Sequence, residues 1–164
     1  MNIPTPFIVL AVAVLAFQVH SQIKNTVSPA EETAYTQLHW LTDFEAAQAR
    51  ARAENKVTLI NFTGSDWCPP CKRLRKEVFS QPEFASYANE HLSLLDVDFP
   101  RHKQLSREQQ AANEALARKF GIESFPTVVV VNAENKVLGH LGYTPGGPKA
   151  FTAEIEQIRK AAGR

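Results

Sequence analysis

Cys68 and Cys71 are the only cysteines of the chain, and they stand three residues apart in Asn61-Phe62-Thr63-Gly64-Ser65-Asp66-Trp67-Cys68-Pro69-Pro70-Cys71-Lys72. Sulfurs at that spacing can exchange disulfides or supply half of a metal site. An apolar, β-rich run ends just before them and a helical pattern starts at them. A strand that delivers a cysteine to a helix mouth places its sulfur near unpaired backbone N–H groups and the positive end of the helix dipole, which favours thiolate. In the exchange chemistry Cys68 is the nucleophile and is expected to be the more exposed of the pair. It attacks a client disulfide, and Cys71, one helical turn inward and shielded, resolves the mixed disulfide. A zinc site needs four ligands. No second cysteine pair exists, and His20, His39, His91, His102 and His140 have no ligand spacing. No metal and no cofactor is therefore expected.

The elements that must position the pair follow from hydrophobic patterning. Val57-Thr58-Leu59-Ile60-Asn61-Phe62 reads as a central strand buried on both faces. The helix after the cysteines runs through Leu74, Val78 and Phe79, is interrupted at Gln81-Pro82-Glu83, and resumes at an angle with Phe84 and Tyr87. Leu92 to Asp98 reads as the next buried strand, parallel to the first because about one helix separates them. Ser106 caps a helix that carries Ala112, Ala115, Leu116 and Phe120 and stops at Gly121. Thr127–Val131 and Lys136–Leu141 flank Asn132-Ala133-Glu134-Asn135 as a β-hairpin, and Phe151, Ile155 and Ile158 line a closing helix. Before the central strand, Leu38 and Trp40 suggest a short edge strand, and Thr42-Asp43-Phe44-Glu45 forms a capping box with Thr42 as the cap. Lys56, Glu54, Arg101 and Lys103 read as solvated surface.

At the N-terminus, Phe7 to Phe17 is an unbroken apolar run, about half of the ~20 residues a membrane span needs. It fits the core of a signal peptide over residues 1–21, with cleavage after Val19-His20-Ser21. Residues 22–37 read as a linker or loosely docked lead-in, and 38–164 as one domain. An exported protein, periplasmic or secreted, is expected, without a stable membrane anchor. Formal charge is +1 over 164 residues, so bulk charge gives no nucleic-acid footprint. A monomer is expected.

Trp67-Cys68-Pro69-Pro70-Cys71-Lys72 resembles the active-site segment of the thioredoxin superfamily. Gly64-Ser65-Asp66 before it and Glu77-Val78-Phe79 after it are similar to a branch common among exported bacterial proteins. The resemblance runs from about Trp40 to Ala162. It implies a thioredoxin-like α/β fold, with a central mixed sheet of parallel strands plus a C-terminal antiparallel hairpin, flanked by helices. It implies a thiol–disulfide oxidoreductase acting on disulfide-containing client proteins, with electrons drawn from a membrane donor in the reducing members. Ser124-Phe125-Pro126-Thr127 is similar to the family's second landmark, so Pro126 is expected to be cis and to lie against Cys68, with the Phe125 backbone offered to substrate. Gly142 matches the family's small residue near the site, where a backbone approaches closely, and Trp67 is a platform beside the sulfurs.

Two departures shape the expected chemistry. The family's buried Asp on the central strand is matched by Asn61, and its partner lysine by Leu94, so the usual buried acid is expected to be missing. Proton transfer from Cys71 then falls to water or Asp66. Pro69-Pro70 removes two N–H donors near the Cys68 sulfur, which places the thiol pKa toward the top of the ~3.5 to 7.5 range of activated cysteines. That favours a reductant or isomerase over a disulfide-forming oxidant. A non-enzymatic binding module on the same fold is the competing class.

Overall fold

The computed structural model describes Tyr35 and residues 37–163. The expected signal segment at 1–21 and nearly all of the lead-in at 22–37 lie outside the described residues. Among those described, the elements run β1 (Trp40–Leu41), α1 (Phe44–Ala53), β2 (Val57–Thr63), α2 (Pro69–Leu74), a π-helical turn (Arg75–Phe79), α3 (Pro82–His91), β3 (Leu92–Asp98), α4 (Arg107–Phe120), β4 (Thr127–Val131), β5 (Val137–Leu141) and α5 (Gly147–Ala161).

They form a five-stranded sheet in the order β1-β3-β2-β4-β5. β1 and β2 are parallel to β3, β4 is antiparallel to β2, and β5 to β4. Every residue of β2 is buried, because helices cover both sides of the sheet and successive side chains point to opposite faces. On one face Leu59, Leu94, Val128 and Val130 pack with Leu74, Phe79, Phe84, Phe151 and Ile155. On the other, Ile60, Phe62, Leu95 and Val129 pack with Phe44, Ala47 and Phe120. Phe79, Phe84 and Phe151 form a mutual aromatic cluster with centroids 4.9 to 6.2 Å apart. Truncating one such ring costs about 3–5 kcal/mol.

Local details differ from the sequence reading in four places. The cap of α1 is Asp43, not Thr42: its carboxylate accepts the Ala46 N–H at 2.6 Å, and a charged acceptor suits a helix N-terminus better than a hydroxyl. The helix after the cysteines widens into a π turn, where the Ser80 N–H reaches the Arg75 carbonyl at 2.8 Å. In α4 it is Asn113 that is buried, while Ala112 and Ala115 are exposed; the Asn113 amide donates to the Asp98 carbonyl at 2.7 Å. Lys56 is buried, its ammonium donating to the Asn89 carbonyl at 2.7 Å and pairing with Glu54.

Candidate active site

β2 ends at Thr63, and a tight turn carries the chain to the cysteines, with the Trp67 and Cys68 N–H groups donating to the Gly64 carbonyl at 3.2 and 2.9 Å. Glycine is required there by space: a Cβ on Gly64 would lie 2.5 Å from the Trp67 ring. The turn leaves Cys68 extended as the N-cap of α2, with Pro69 and Pro70 in the first helical positions. Proline has no N–H, so the Cys71 amide is the one first-turn donor that reaches the Cys68 sulfur, at 3.3 Å.

Cys68 and Cys71 are joined by a disulfide, with Cα atoms 5.3 Å apart. Cys68 is 2% exposed and Cys71 4%, so the expectation of a more exposed Cys68 is not met in this oxidised form. The bond to Cys71 and the N-cap geometry turn the Cys68 sulfur back over the helix mouth.

The Phe125–Pro126 peptide bond is cis, as expected. Phe125 meets Trp67 edge-on at 6.0 Å and stacks on Phe99 at 5.1 Å. Trp67 donates its indole N–H to the Phe99 carbonyl at 2.7 Å, and the Arg101 guanidinium lies 3.8 Å from its ring centre. Gly142 sits beside the same turn, but a Cβ there would meet only the Pro126 carbonyl oxygen, at 3.9 Å. Among the described residues, no close approach therefore demands a glycine at 142. Phe125 is thus brought against Trp67, the residue before Cys68, and Gly142 lies beside Pro126.

Asp66 is not placed as a proton carrier. Its carboxylate accepts the backbone N–H groups of Arg101, His102 and Lys103 at 2.7 to 3.2 Å. Those bonds, Arg101's first, hold its pKa down at about 2. The Lys72 ammonium donates to the Asp66 carbonyl at 2.7 Å. Asp66 anchors the loop that carries Arg101 over Trp67.

The position of the family's acid holds Asn61, as expected, and a partly buried acid faces it one strand over. In the parallel register of β2 and β3, Asn61 faces Asp96, whereas Leu94 faces Leu59 in the core. The Asn61 side-chain amide donates to Asp96 Oδ1 at 2.8 Å, and Asn61 Oδ1 is buried without a partner among the described residues. Asp96 opens onto a largely enclosed cavity of about 220 Å³ whose lining includes Asn61, Thr63, Cys71, Asp98 and Lys103. The surrounding protein pushes its pKa up to about 6, burial being the main cause; the Asn61 hydrogen bond pulls down and the Asp98 charge pushes up. Asp98 itself is fixed by the Ser65 N–H and hydroxyl, at 2.9 and 2.6 Å. Asp96 was missed because it reads as an ordinary strand residue. The available signal is that Asn61 and Asp96 hold the same fifth place in two adjacent seven-residue strands.

A larger groove of about 480 Å³ lies between the start of α1 and α4, lined by residues such as Phe44, Leu116 and Lys119 and by neither cysteine. Among the described residues, no group of three or more His, Cys, Asp and Glu is placed to hold a metal ion, and no helix is long and apolar enough to cross a membrane.

Residues 44–159 match the thioredoxin-like domain family. The disulfide bond reductase DsbH of Chlamydia pneumoniae is 32% identical over 127 residues, which span 77% of this chain and 76% of that protein. A solved DsbH oxidoreductase structure superposes with a TM-score of 0.72 at 29% identity, covering 85% of this chain and 94% of that one. The oxidised C-terminal domain of DsbD from Neisseria meningitidis, 20% identical, shares the fold at a TM-score of 0.54, covering 73% of this chain and 99% of the domain. Given a family match over most of its length and a cysteine pair joined at the mouth of α2, this chain belongs to the thioredoxin-like family, as a thiol–disulfide oxidoreductase.

Proposed function

We propose that the protein works in the reducing direction on disulfides of exported client proteins, as a reductase or isomerase. The observation that carries the direction is the single backbone N–H at the Cys68 sulfur. A couple is oxidising when its reduced form is stabilised, and Pro69-Pro70 withholds donors that would stabilise the Cys68 thiolate. The likeness to a protein described as a disulfide bond reductase supports the same direction.

In this reading the Cys68 thiolate attacks one sulfur of a client disulfide. The client S–S bond breaks, a Cys68–client bond forms, and the released client sulfur takes a proton. Cys71 then attacks Cys68 Sγ, closing the intramolecular disulfide and releasing the second client thiol. The client gains two electrons and the Cys68–Cys71 pair loses two, so an external dithiol donor must recharge it. A membrane-borne donor fits an exported protein. Trp67 and Phe125 flank the nucleophile as an apolar platform, and the backbone at Phe125–Pro126 and Gly142 receives the client chain. Residues 1–21 act as the export signal and 38–164 as the catalytic domain.

The test is insulin-disulfide reduction with a dithiol donor, paired with trapping by Cys71→Ser. Turnover by the wild-type protein and stable Cys68-linked adducts of the variant are expected. Absence of both would leave the binding-module reading. N-terminal sequencing of the mature protein checks cleavage before Gln22.

A further inference from the structure

Arg101 stands just past the end of β3, and Asp66 holds it there by its backbone: the carboxylate accepts the N–H groups of Arg101, His102 and Lys103. The loop is therefore anchored without using the Arg101 side chain. The guanidinium lies 3.8 Å from the centre of the ring of Trp67, the residue before Cys68, and has no hydrogen bond or ion pair among the described residues. An aromatic face attracts a guanidinium through the ring's electron density and leaves its N–H donors unspent.

Two further cations belong to the helix that starts at Cys68. The Lys72 ammonium donates to the Asp66 carbonyl at 2.7 Å, and the Arg73 guanidinium lies 5.2 Å from the centre of the ring of Tyr143, the residue after Gly142. All three cations are exposed. The whole chain carries a formal charge of only +1, so this grouping is local. The neighbouring carboxylates are engaged: Asp66 accepts its backbone donors, Glu77 the Tyr143 hydroxyl, and Asp98 the Ser65 N–H and hydroxyl. Glu123, two residues before Phe125, is exposed and carries the opposing charge.

We propose that Arg101, supported by Lys72 and Arg73, selects client disulfides flanked by acidic residues. The proposal rests on the thiol–disulfide reading above and names the substrate class that the same site prefers. A guanidinium is a planar fork that takes a carboxylate through two parallel N–H bonds. Arg101 is held in advance by its anchored backbone and the Trp67 ring, so little side-chain freedom is lost when a carboxylate arrives. Trp67 is part of the platform beside the nucleophile, which brings a residue flanking the client disulfide within reach of the guanidinium. Exposed cations of this kind chiefly speed encounter and make it salt-dependent. An anionic lipid surface seated on the same cations would cover Cys68, and this favours a client chain as the occupant.

The probes are two synthetic peptides, each with one intramolecular disulfide, identical except that Glu or Lys flanks both cysteines. The second-order rate of oxidation of the reduced protein, read by acid quench and thiol counting, is divided by the rate of the same peptide with dithiothreitol. That division cancels the peptide's own reactivity. In the wild type at low salt the Glu peptide is expected to react faster than the Lys peptide by roughly tenfold, and the difference should narrow at high salt. Arg101→Gln keeps the backbone N–H that Asp66 accepts, and should lower the ratio about threefold. Arg101→Lys should retain more of it, and Arg101→Glu should shift the preference toward the Lys peptide, which a merely structural role in the loop would not do. Equal normalised rates for the two peptides in the wild type, or a ratio unchanged in Arg101→Gln and Arg101→Glu, overturns the proposal. An unchanged ratio together with loss of flotation on phosphatidylglycerol vesicles in Arg101→Gln overturns it in favour of a lipid surface. Reaction of the wild type with neither peptide overturns the thiol–disulfide reading itself.

Discussion

Asp66 and Asp96 are two carboxylates near one disulfide with opposite environments. Asp66 stands two residues before Cys68, partly exposed, and is saturated by backbone donors that hold its pKa at about 2. Asp96 is remote in sequence, lies in the cavity that Cys71 lines, has one hydrogen-bond donor, and is pushed up to about 6. Closeness along the chain is therefore a poor guide to chemistry here. The number of fixed donors and the depth of burial decide which acid holds its proton within reach of the working pH. The loop acid fixes the shape of the loop beside Trp67, and the strand acid keeps a raised pKa in the cavity that Cys71 lines.

The contrast predicts opposite pH signatures for stability. For Asp96 the folded pKa, about 6, lies above the ordinary 3.8. Between those values the folded protein holds a proton that the unfolded chain has released. The free energy of unfolding contributed by this group therefore falls as pH rises through that window, by up to about 3 kcal/mol, and stays low above it. Asp96→Asn should remove the slope and leave the oxidised protein more stable at neutral pH, as urea unfolding at several pH values would read out. A variant less stable at neutral pH than the wild type would contradict the recessed-acid picture.

Asn61→Asp sharpens the same point by placing a second carboxyl in hydrogen-bonding range of Asp96. Two such groups cannot both ionise cheaply, so the pair should titrate with an upper apparent pKa above the present value. Stability at neutral pH should fall by roughly 1–3 kcal/mol. An upper value no higher than that of the wild type would show that the two side chains do not share an environment.

The smallest effect is expected at the loop. Asp66 is the usual depressed carboxylate, so what it contributes is present above about 3.8 and is lost as pH falls toward about 2. Asp66→Ala should raise amide exchange at Arg101, His102 and Lys103 and loosen Trp67, while leaving the stability slope of Asp96 between about 3.8 and about 6 in place. Loss of that slope in Asp66→Ala would show that the two acids do not sit in separate environments.

Most of the frame was legible in the sequence because its signals are local or periodic. The apolar run of β2, the Ser106 cap, the hairpin around Asn132 to Asn135 and the Phe125-Pro126 step all appear where patterning places them. The misses depend on information that no single segment carries. The π turn at Arg75–Phe79 is one extra residue in a helix, which periodicity does not register. The Asn61–Asp96 pair depends on the register between β2 and β3, and counting back from Asp98 lands on Leu94, which faces Leu59 instead. The similar exposure of Cys68 and Cys71 reflects the disulfide that ties their sulfurs together.

The measurement that bears most directly on the whole reading is the reduction potential of the Cys68–Cys71 couple, by equilibration against a dithiol redox buffer and counting of free thiols. One N–H at the Cys68 sulfur leaves the dithiol form weakly stabilised. The expected value is therefore in the range of reducing members, near about −270 mV, and a value near about −120 mV, typical of a dedicated oxidant, would contradict it.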